Sequence, residues 1–303
     1  MRNRTKGTLC LVASAFGFAT MGMFIRLADD LGGPVSCFQK GFFRNLVALA
    51  IAAALFLPRG SRKSRTLDDH ASGQPSPTHS PFSIFHSSFF ILVLRSVLGT
   101  AGIFLNFYAI SRIPLADAMM LNKLAPFFTV AFSWMFLGER IRIGQAACLF
   151  GALFGAACVV KPGFALAAFF PALCGLVGGV CAGGAYACVH ALGRRQVDPR
   201  IIVLFFSVFS CLASVPFMAV DFAPMTSAQT WALVGAGAAA AMGQFGVTTA
   251  YRFAEPRTIA AWDYTNILFA AAFGFLLFGQ IPDAWSIVGF IAIVVSALIL
   301  RTR

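Results

Sequence analysis

Long apolar runs, separated by short polar or charged turns, make up almost the whole chain. A membrane-spanning α-helix needs about 20 consecutive apolar residues. Ten stretches meet this length closely: residues 8–28, 35–57, 88–110, 115–137, 143–161, 169–191, 200–220, 229–252, 257–279 and 283–300. The pattern predicts an all-α polytopic membrane protein with ten transmembrane helices.

The segment between the second and third runs has a different composition. Residues 58–87 are rich in Ser, Pro, His and charged side chains. Such a composition lacks the apolar surface that a packed domain must bury, so it is typical of a flexible loop. We expect this loop to face the cytoplasm, because four of its residues are Lys or Arg.

Composition supports the membrane assignment and argues against metal chemistry. The chain is 59% hydrophobic and 11% charged, whereas soluble domains are about 45–50% apolar and about 25% charged. Its eight cysteines lie in or beside the apolar runs without any paired C-x-x-C spacing, as expected of small apolar side chains. We expect no metal site and no cofactor.

The net charge of +12 arises mainly from Lys and Arg in the turns between the runs. That distribution is typical of membrane orientation signals and disfavours a nucleic-acid partner. With the N-terminus in the cytoplasm, sixteen of these residues fall on the cytoplasmic side and three on the other. The distribution predicts a multi-pass protein of the cell inner (plasma) membrane with both termini cytoplasmic.

The two halves of the chain share an internal repeat. The block PLADAMMLNKLAPFFTVAFSWMFLGERI in residues 1–163 is similar to PRTIAAWDYTNILFAAAFGFLLFGQI in residues 164–303. Each half holds five predicted helices, and an odd number inverts the second half in the membrane. Inverted repeats of this kind usually place a substrate site near the midplane, where the halves meet.

Ten spans, the repeat and the block LNKLAPFFTVAFSWMFLGERI resemble the EamA-type transporters of the drug/metabolite transporter superfamily. By position, Arg44 matches the family's second-helix arginine, and Pro126 with Gly138-Glu139-Arg140 matches its fourth-helix and turn motif. The second half departs from the pattern, since Gln280 replaces a glutamate and Ile267 stands near the place of a proline. The resemblance implies export or exchange of small metabolites, including amino acids.

Lys123 is a charged residue inside an apolar run, where a charge costs roughly 2.5–3.5 kcal/mol. Pro126 has no N–H, so it frees the carbonyl of Asn122 beside the lysine and predicts a bend in the fourth helix. Aligning the repeats places Asn122 opposite Asp263 and Lys123 opposite Tyr264. The ninth helix lacks the proline, so we expect it to be straighter.

Lys123 and Asp263 are predicted to flank the midplane of a hydrocarbon core about 30 Å thick. We hypothesise that they pair with each other in an empty cavity and bind the carboxylate and ammonium of a substrate. A structural ion pair, or Lys123 bonded to backbone carbonyls, is the alternative. Asp263 is also a proton-coupling candidate, because a poorly solvated carboxyl group can carry a proton between the two faces.

Further polar and aromatic side chains in the spans suit a small-molecule site, and each also suits helix packing. Trp262 and Asn266, four residues apart, are expected to share a helix face. With the charged pair, the predicted substrate-binding residues are Asn122, Trp262, Tyr264, Asn266, Asn106, Tyr108 and Gln244.

Three other cations, Lys40, Arg44 and Arg95, lie within the apolar runs. They give the spans an excess of positive charge, which hints at an anionic group in the substrate. A structural role is the alternative for each, and Lys40 and Arg44 are close enough to a helix end to extend to the membrane surface.

These patterns predict a secondary active transporter that exports a small polar metabolite, such as an amino acid, by alternating access, with proton coupling as an added possibility. The alternatives are an uncoupled facilitator or exchanger of an anionic metabolite and, in other classes, an intramembrane enzyme or a lipid scramblase. An enzyme is disfavoured, because no His-rich site, buried Asp pair or serine nucleophile with a histidine is evident. The expected partners are the small-molecule substrate, the lipid bilayer and protons, and the expected assembly is a monomer or homodimer.

Overall fold

The computed structural model describes residues 2–56, 81–137, 143–160, 166–195, 197, 199–253 and 260–302. Eleven α-helices and one 3₁₀ turn make up this part of the chain. The helices are α1 (Arg2–Asp30), α2 (Cys37–Phe56), α3 (Pro81–Ile110), α4 (Leu115–Asn122), α5 (Ala125–Leu137), α6 (Ile143–Val160), α7 (Leu166–Arg194), α8 (Pro199–Val220), α9 (Ser227–Phe253), α10 (Thr265–Phe278) and α11 (Ala284–Thr302), with the 3₁₀ turn at Ala260–Tyr264.

The helices form ten successive rods, because α4 continues into α5 and the 3₁₀ turn continues into α10. Within the described residues, five segments are long and apolar enough to cross a membrane. They are Thr5–Asp30, Ser88–Ile110, Leu115–Phe136, Ala168–Arg194 and Ile201–Val220. The predicted all-α fold of ten helices is confirmed.

The boundary of the predicted loop differs from the expectation. Helix α3 begins at Pro81, so residues 81–87 are helical and do not belong to the loop. Proline suits the first position of a helix, since the N–H that it lacks would have no partner within the helix. The remaining residues of that loop, 58–80, lie outside the described part of the chain.

Helix neighbours come in pairs that the repeat relates to each other. The first rod packs extensively on the eighth (α1 on α9), and the third packs on the sixth (α3 on α7). Exchanging the two five-helix halves converts one of these contacts into the other. The α2–α8 and α6–α11 contacts each map onto themselves. Contacts related in this way are expected of a chain built from two structural repeats.

Close contacts between these helices occur at small residues. A Cβ atom on Gly155 of α6 would lie 2.8 Å from the carbonyl oxygen of Gly289 on α11. A Cβ atom on Gly179 of α7 would lie 2.6 Å from the carbonyl oxygen of Leu121 on α4. Small residues allow backbones to approach in membranes, where the hydrophobic effect contributes little to helix association.

Gly179→Ala is therefore expected to destabilise the protein. The added methyl group meets backbone, which cannot rotate away, and overpacking of this kind costs about 1–3 kcal/mol. The apparent Tm of the purified protein in detergent measures the effect. Gly193→Ala is the matched control on the same helix, because its Cβ would have no heavy atom within 4 Å. Equal Tm values for the two variants would contradict the predicted close packing at Gly179.

Candidate functional site

The fourth rod is interrupted near its middle. Helix α4 ends at Asn122 and α5 begins at Ala125, so Lys123 and Leu124 form a turn between them. Across it, the Leu124 N–H donates to the Leu121 carbonyl at 3.2 Å. Pro126 then lies in the first turn of α5, where its missing N–H breaks no helical hydrogen bond. The predicted bend at residues 122–126 is present as a break.

The symmetry-related rod is also irregular, which corrects the expectation of a straight ninth helix. It begins with a 3₁₀ turn at Ala260–Tyr264 and becomes α-helical at Thr265. The Thr265 hydroxyl donates to the Trp262 carbonyl at 2.7 Å. A side chain that bonds to the preceding backbone in this way competes with the α-helical ladder. Helical irregularity here does not require proline.

An ion pair joins the two irregular segments. The Lys123 Nζ atom lies 2.6 Å from Asp263 Oδ2, a distance typical of a short charge-assisted hydrogen bond. The side chains are 16% and 26% exposed, respectively. Each half of the chain thus contributes one charge, and both charges retain some accessible surface. The ion pair expected from the repeat is present.

Backbone and amide contacts hold both segments in place. Helix α7 supports the break in the fourth rod, since the Thr129 hydroxyl donates to the Ala125 carbonyl at 2.9 Å and to the Gly183 carbonyl at 3.1 Å. Gln280 Oε1 accepts the N–H of Leu115, the first residue of α4, at 2.9 Å. This bond connects the two halves, so the residue that departs from the family pattern has a structural partner.

Asn266 and Trp262 do not share a helix face, contrary to expectation. Asn266 is fully buried, and its amide donates to the Ala15 carbonyl of α1 at 2.8 Å. Trp262 is 48% exposed. Trp262 belongs to the 3₁₀ turn, in which residues i and i+3 eclipse, so four-residue spacing no longer aligns side chains. Tyr264, between them, packs against the hydrophobic core.

The other predicted binding residues are distributed along several helices. Asn106 is buried, and its Oδ1 atom accepts no hydrogen bond within the described part of the chain. The Tyr108 ring packs on Phe170 and lies 3.9 Å from the Arg112 guanidinium. Asn122 is half-buried at the break, and Gln244 is exposed on α9. The Gly138-Glu139-Arg140 motif lies outside the described residues.

Lys40 does not follow the alternative in which it extends to the membrane surface. Its side chain is 1% exposed, and Nζ lies 2.6 Å from Asp29 Oδ2 and 2.5 Å from the Ser111 hydroxyl. Asp29 also accepts the Val35 N–H at 2.9 Å. The position of Asp29 near a helix end suggested no partner, so sequence reasoning missed this network. Because the buried Lys40 ammonium group is paired with a carboxylate, its charge is compensated inside the protein.

Arg44 and Arg95 form a second group of charges, on α2 and α3. Arg44 Nη1 donates to Asn45 Oδ1 at 2.9 Å, and the Arg95 guanidinium lies 3.7 Å from the centre of the Phe206 ring. Helix α3 packs on α2 and on α7, and α7 carries Tyr186. The sequence contained no signal that would place Tyr186 on a helix next to α3.

Comparison with known proteins identifies what the chain resembles. Residues 5–161 match the model of the EamA-like transporter family. The pseudopaline exporter CntI of Pseudomonas aeruginosa is 31% identical over 98% of this chain and 96% of its own length. A riboflavin transporter of Brucella anthropi is 23% identical over 90% of each chain. A crystal structure of a protein with 18% identity superimposes with a TM-score of 0.61, covering 98% of this chain and 97% of the other.

Proposed function

We propose, because the chain belongs to the EamA-like transporter family, that it carries a small polar metabolite across the membrane by alternating access. The Lys123–Asp263 ion pair is the observation that supports this proposal most directly. Charges inside a membrane are costly and mark substrate or ion pathways. In transporters built from inverted repeats, binding sites lie at the repeat interface where helices are interrupted.

The chemistry of the pair favours a substrate with both charges. The Lys123 ammonium group can bind a substrate carboxylate, and the Asp263 carboxylate can bind a substrate ammonium group. A zwitterion such as an amino acid can therefore replace both sides of the internal ion pair. Asn122, in the same break as Lys123, offers an amide for orientation. Relatives named as exporters and transporters support transport, and we propose the export direction.

Polar contacts close the end of the helix bundle at which the turns 31–36, 111–114 and 221–226 meet. The Ser36 hydroxyl donates to Asp221 at 2.7 Å, and the Gln39 amide donates to the Ala223 carbonyl at 2.9 Å. The Arg26 guanidinium donates to the carbonyls of Ile110 and Ile113. Alternating access requires one closed face at a time, and we propose that this is the outer face of an inner-membrane protein.

Asp263 is the proposed carrier of a coupling proton. Protonation neutralises the carboxylate, breaks its pairing with Lys123 and changes the affinity for a cationic substrate group, so proton and substrate movement become linked. The competing proposal is an uncoupled facilitator or exchanger, in which substrate alone replaces the ion pair.

Reconstitution tests transport and coupling together. Liposomes containing the purified protein are loaded with an isotope-labelled extract of small polar metabolites, and mass spectrometry follows the compounds released outside. A discrete set is expected to leave faster than from protein-free liposomes, and an imposed pH gradient is expected to change its rate. Release that matches protein-free liposomes would contradict transport. Release that is insensitive to the gradient would contradict proton coupling alone.

A further inference from the structure

We propose that Arg44 and Arg95 bind an oxyanion group, a carboxylate or a phosphate, of the transported molecule. The inference rests on the proposed transport function and specifies its substrate class as a metabolite with net negative charge. Arg44 lies seven residues into α2, and Arg95 lies seven residues into the apolar span Ser88–Ile110. At 1.5 Å per residue, Arg44 is about 10 Å inside the end of its helix and Arg95 is about 10 Å inside the end of its apolar span.

Neither arginine has the anionic partner that its position calls for. Within the described part of the chain, the Arg44 side chain donates only to the neutral amide oxygen of Asn45, and no carboxylate there forms an ion pair with either guanidinium. Arg44 Nε, Arg95 Nε and Arg95 Nη1 are buried donors with no acceptor in the same part of the chain. A buried donor without an acceptor costs about 1–3 kcal/mol, and more when it is charged.

The two guanidinium groups also repel each other. Their helices, α2 and α3, pack against each other, and a like charge nearby raises the cost of keeping both ionised away from bulk water. One anion placed between them would attract both charges and accept the free N–H donors. A single oxyanion would therefore offset the desolvation cost of the two arginines, reduce their mutual repulsion and accept the hydrogen bonds that they lack.

The geometry favours a planar or tetrahedral oxyanion over a simple halide. The centre of the Phe206 ring lies 3.7 Å from the guanidinium carbon of Arg95, and the N–H donors of a guanidinium lie in its own plane. Donors in this fork arrangement match the paired oxygens of a carboxylate or phosphate. Tyr186, half exposed on α7, adds a hydroxyl group on a helix that packs against α3.

The Arg44–Arg95 site lies on different helices from the Lys123–Asp263 pair. Arg44 and Arg95 belong to α2 and α3, whereas the ion pair lies in the breaks of the fourth and ninth rods. The two charges of a zwitterion are sufficient to bind Lys123 and Asp263. Binding to the arginines as well requires a further acidic group on the substrate. The substrate would then be larger and more acidic than a simple neutral amino acid.

The reconstituted liposomes test the proposal with three variants: Arg44→Gln, Arg95→Gln and the control Arg194→Gln, which removes an exposed cation at the last residue of α7. The wild-type protein is expected to release compounds of net negative charge. The Arg44→Gln variant and the Arg95→Gln variant should each slow that release at least about tenfold, because each removes charge-assisted contacts. The control should stay within about twofold of wild type. The identity of the compounds shows whether carboxylates or phosphate esters supply the oxyanion.

Failure of the two proposals is distinguishable in the same experiment. No release by wild-type protein would contradict transport itself. Release of only neutral or cationic compounds by wild-type protein would overturn the oxyanion site while leaving transport intact, and this readout does not depend on the folding of any variant. Wild-type rates for net-negative compounds in the folded Arg44→Gln and Arg95→Gln proteins would overturn it as well.

Discussion

Asp263→Asn and Lys123→Ala are each expected to slow metabolite release about 10- to 100-fold. Each change removes one charge-assisted contact to the substrate, worth about 1.5–3 kcal/mol, which corresponds to that range of rates or affinities. Each also leaves the opposite charge without the partner that now lies 2.6 Å away. Release from liposomes with equal amounts of reconstituted protein measures the effect.

The control for these variants is Arg194→Gln, which removes a cation at an exposed position at the end of α7. It is expected to transport at close to the wild-type rate. Thermal unfolding of every variant in detergent separates loss of transport from loss of folded protein. Folded Asp263→Asn and Lys123→Ala proteins with wild-type rates would exclude the pair from the transport site.

Lys40→Met should lower stability by about 3–5 kcal/mol, the cost of leaving one member of a buried ion pair alone. The lysine is 1% exposed, and Asp29 is 13% exposed. Arg26 forms no ion pair with Asp29 within the described residues, since its Nη1 atom donates to the Ile110 and Ile113 carbonyls. A decrease in the apparent Tm in detergent reports the loss.

A double variant checks that the loss comes from the uncompensated charge. Lys40→Met with Asp29→Asn removes both charges and keeps an acceptor for the Val35 N–H, which now donates to Asp29. Replacing a buried pair by neutral side chains is often tolerated, so much of the Tm should return. A double variant as unstable as Lys40→Met would show that the pair stabilises the fold by packing and not by charge balance.

Much of the architecture could be predicted because hydrophobic length alone specifies a membrane helix. The ten rods follow from the ten apolar runs. The break at Asn122 could also be anticipated, since Pro126 cannot complete a helical hydrogen bond. The repeat then aligned Lys123 with the neighbourhood of Asp263, and their charges meet across the interface of the two halves.

The missed features depend on contacts between distant parts of the chain. The 3₁₀ turn before Thr265 involves a hydrogen bond from a hydroxyl to a carbonyl. No proline in this segment predicts it. Lys40 pairs with Asp29 because the turn at 31–36 brings the start of α2 close to the end of α1. Arg44, Arg95 and Tyr186 lie on three helices, of which α3 packs on the other two. Periodicity shows which face of a helix is apolar but not which residues face it from another helix.

The central claim is that Lys123 and Asp263 bind the substrate and do more than hold the halves together. The Lys123→Met/Asp263→Asn protein separates these roles, because removing both charges of a structural pair is often neutral for stability. Its rate of labelled-metabolite release from liposomes is the most direct test. We predict a folded protein whose release does not exceed that of protein-free liposomes. Release at the wild-type rate would contradict the account.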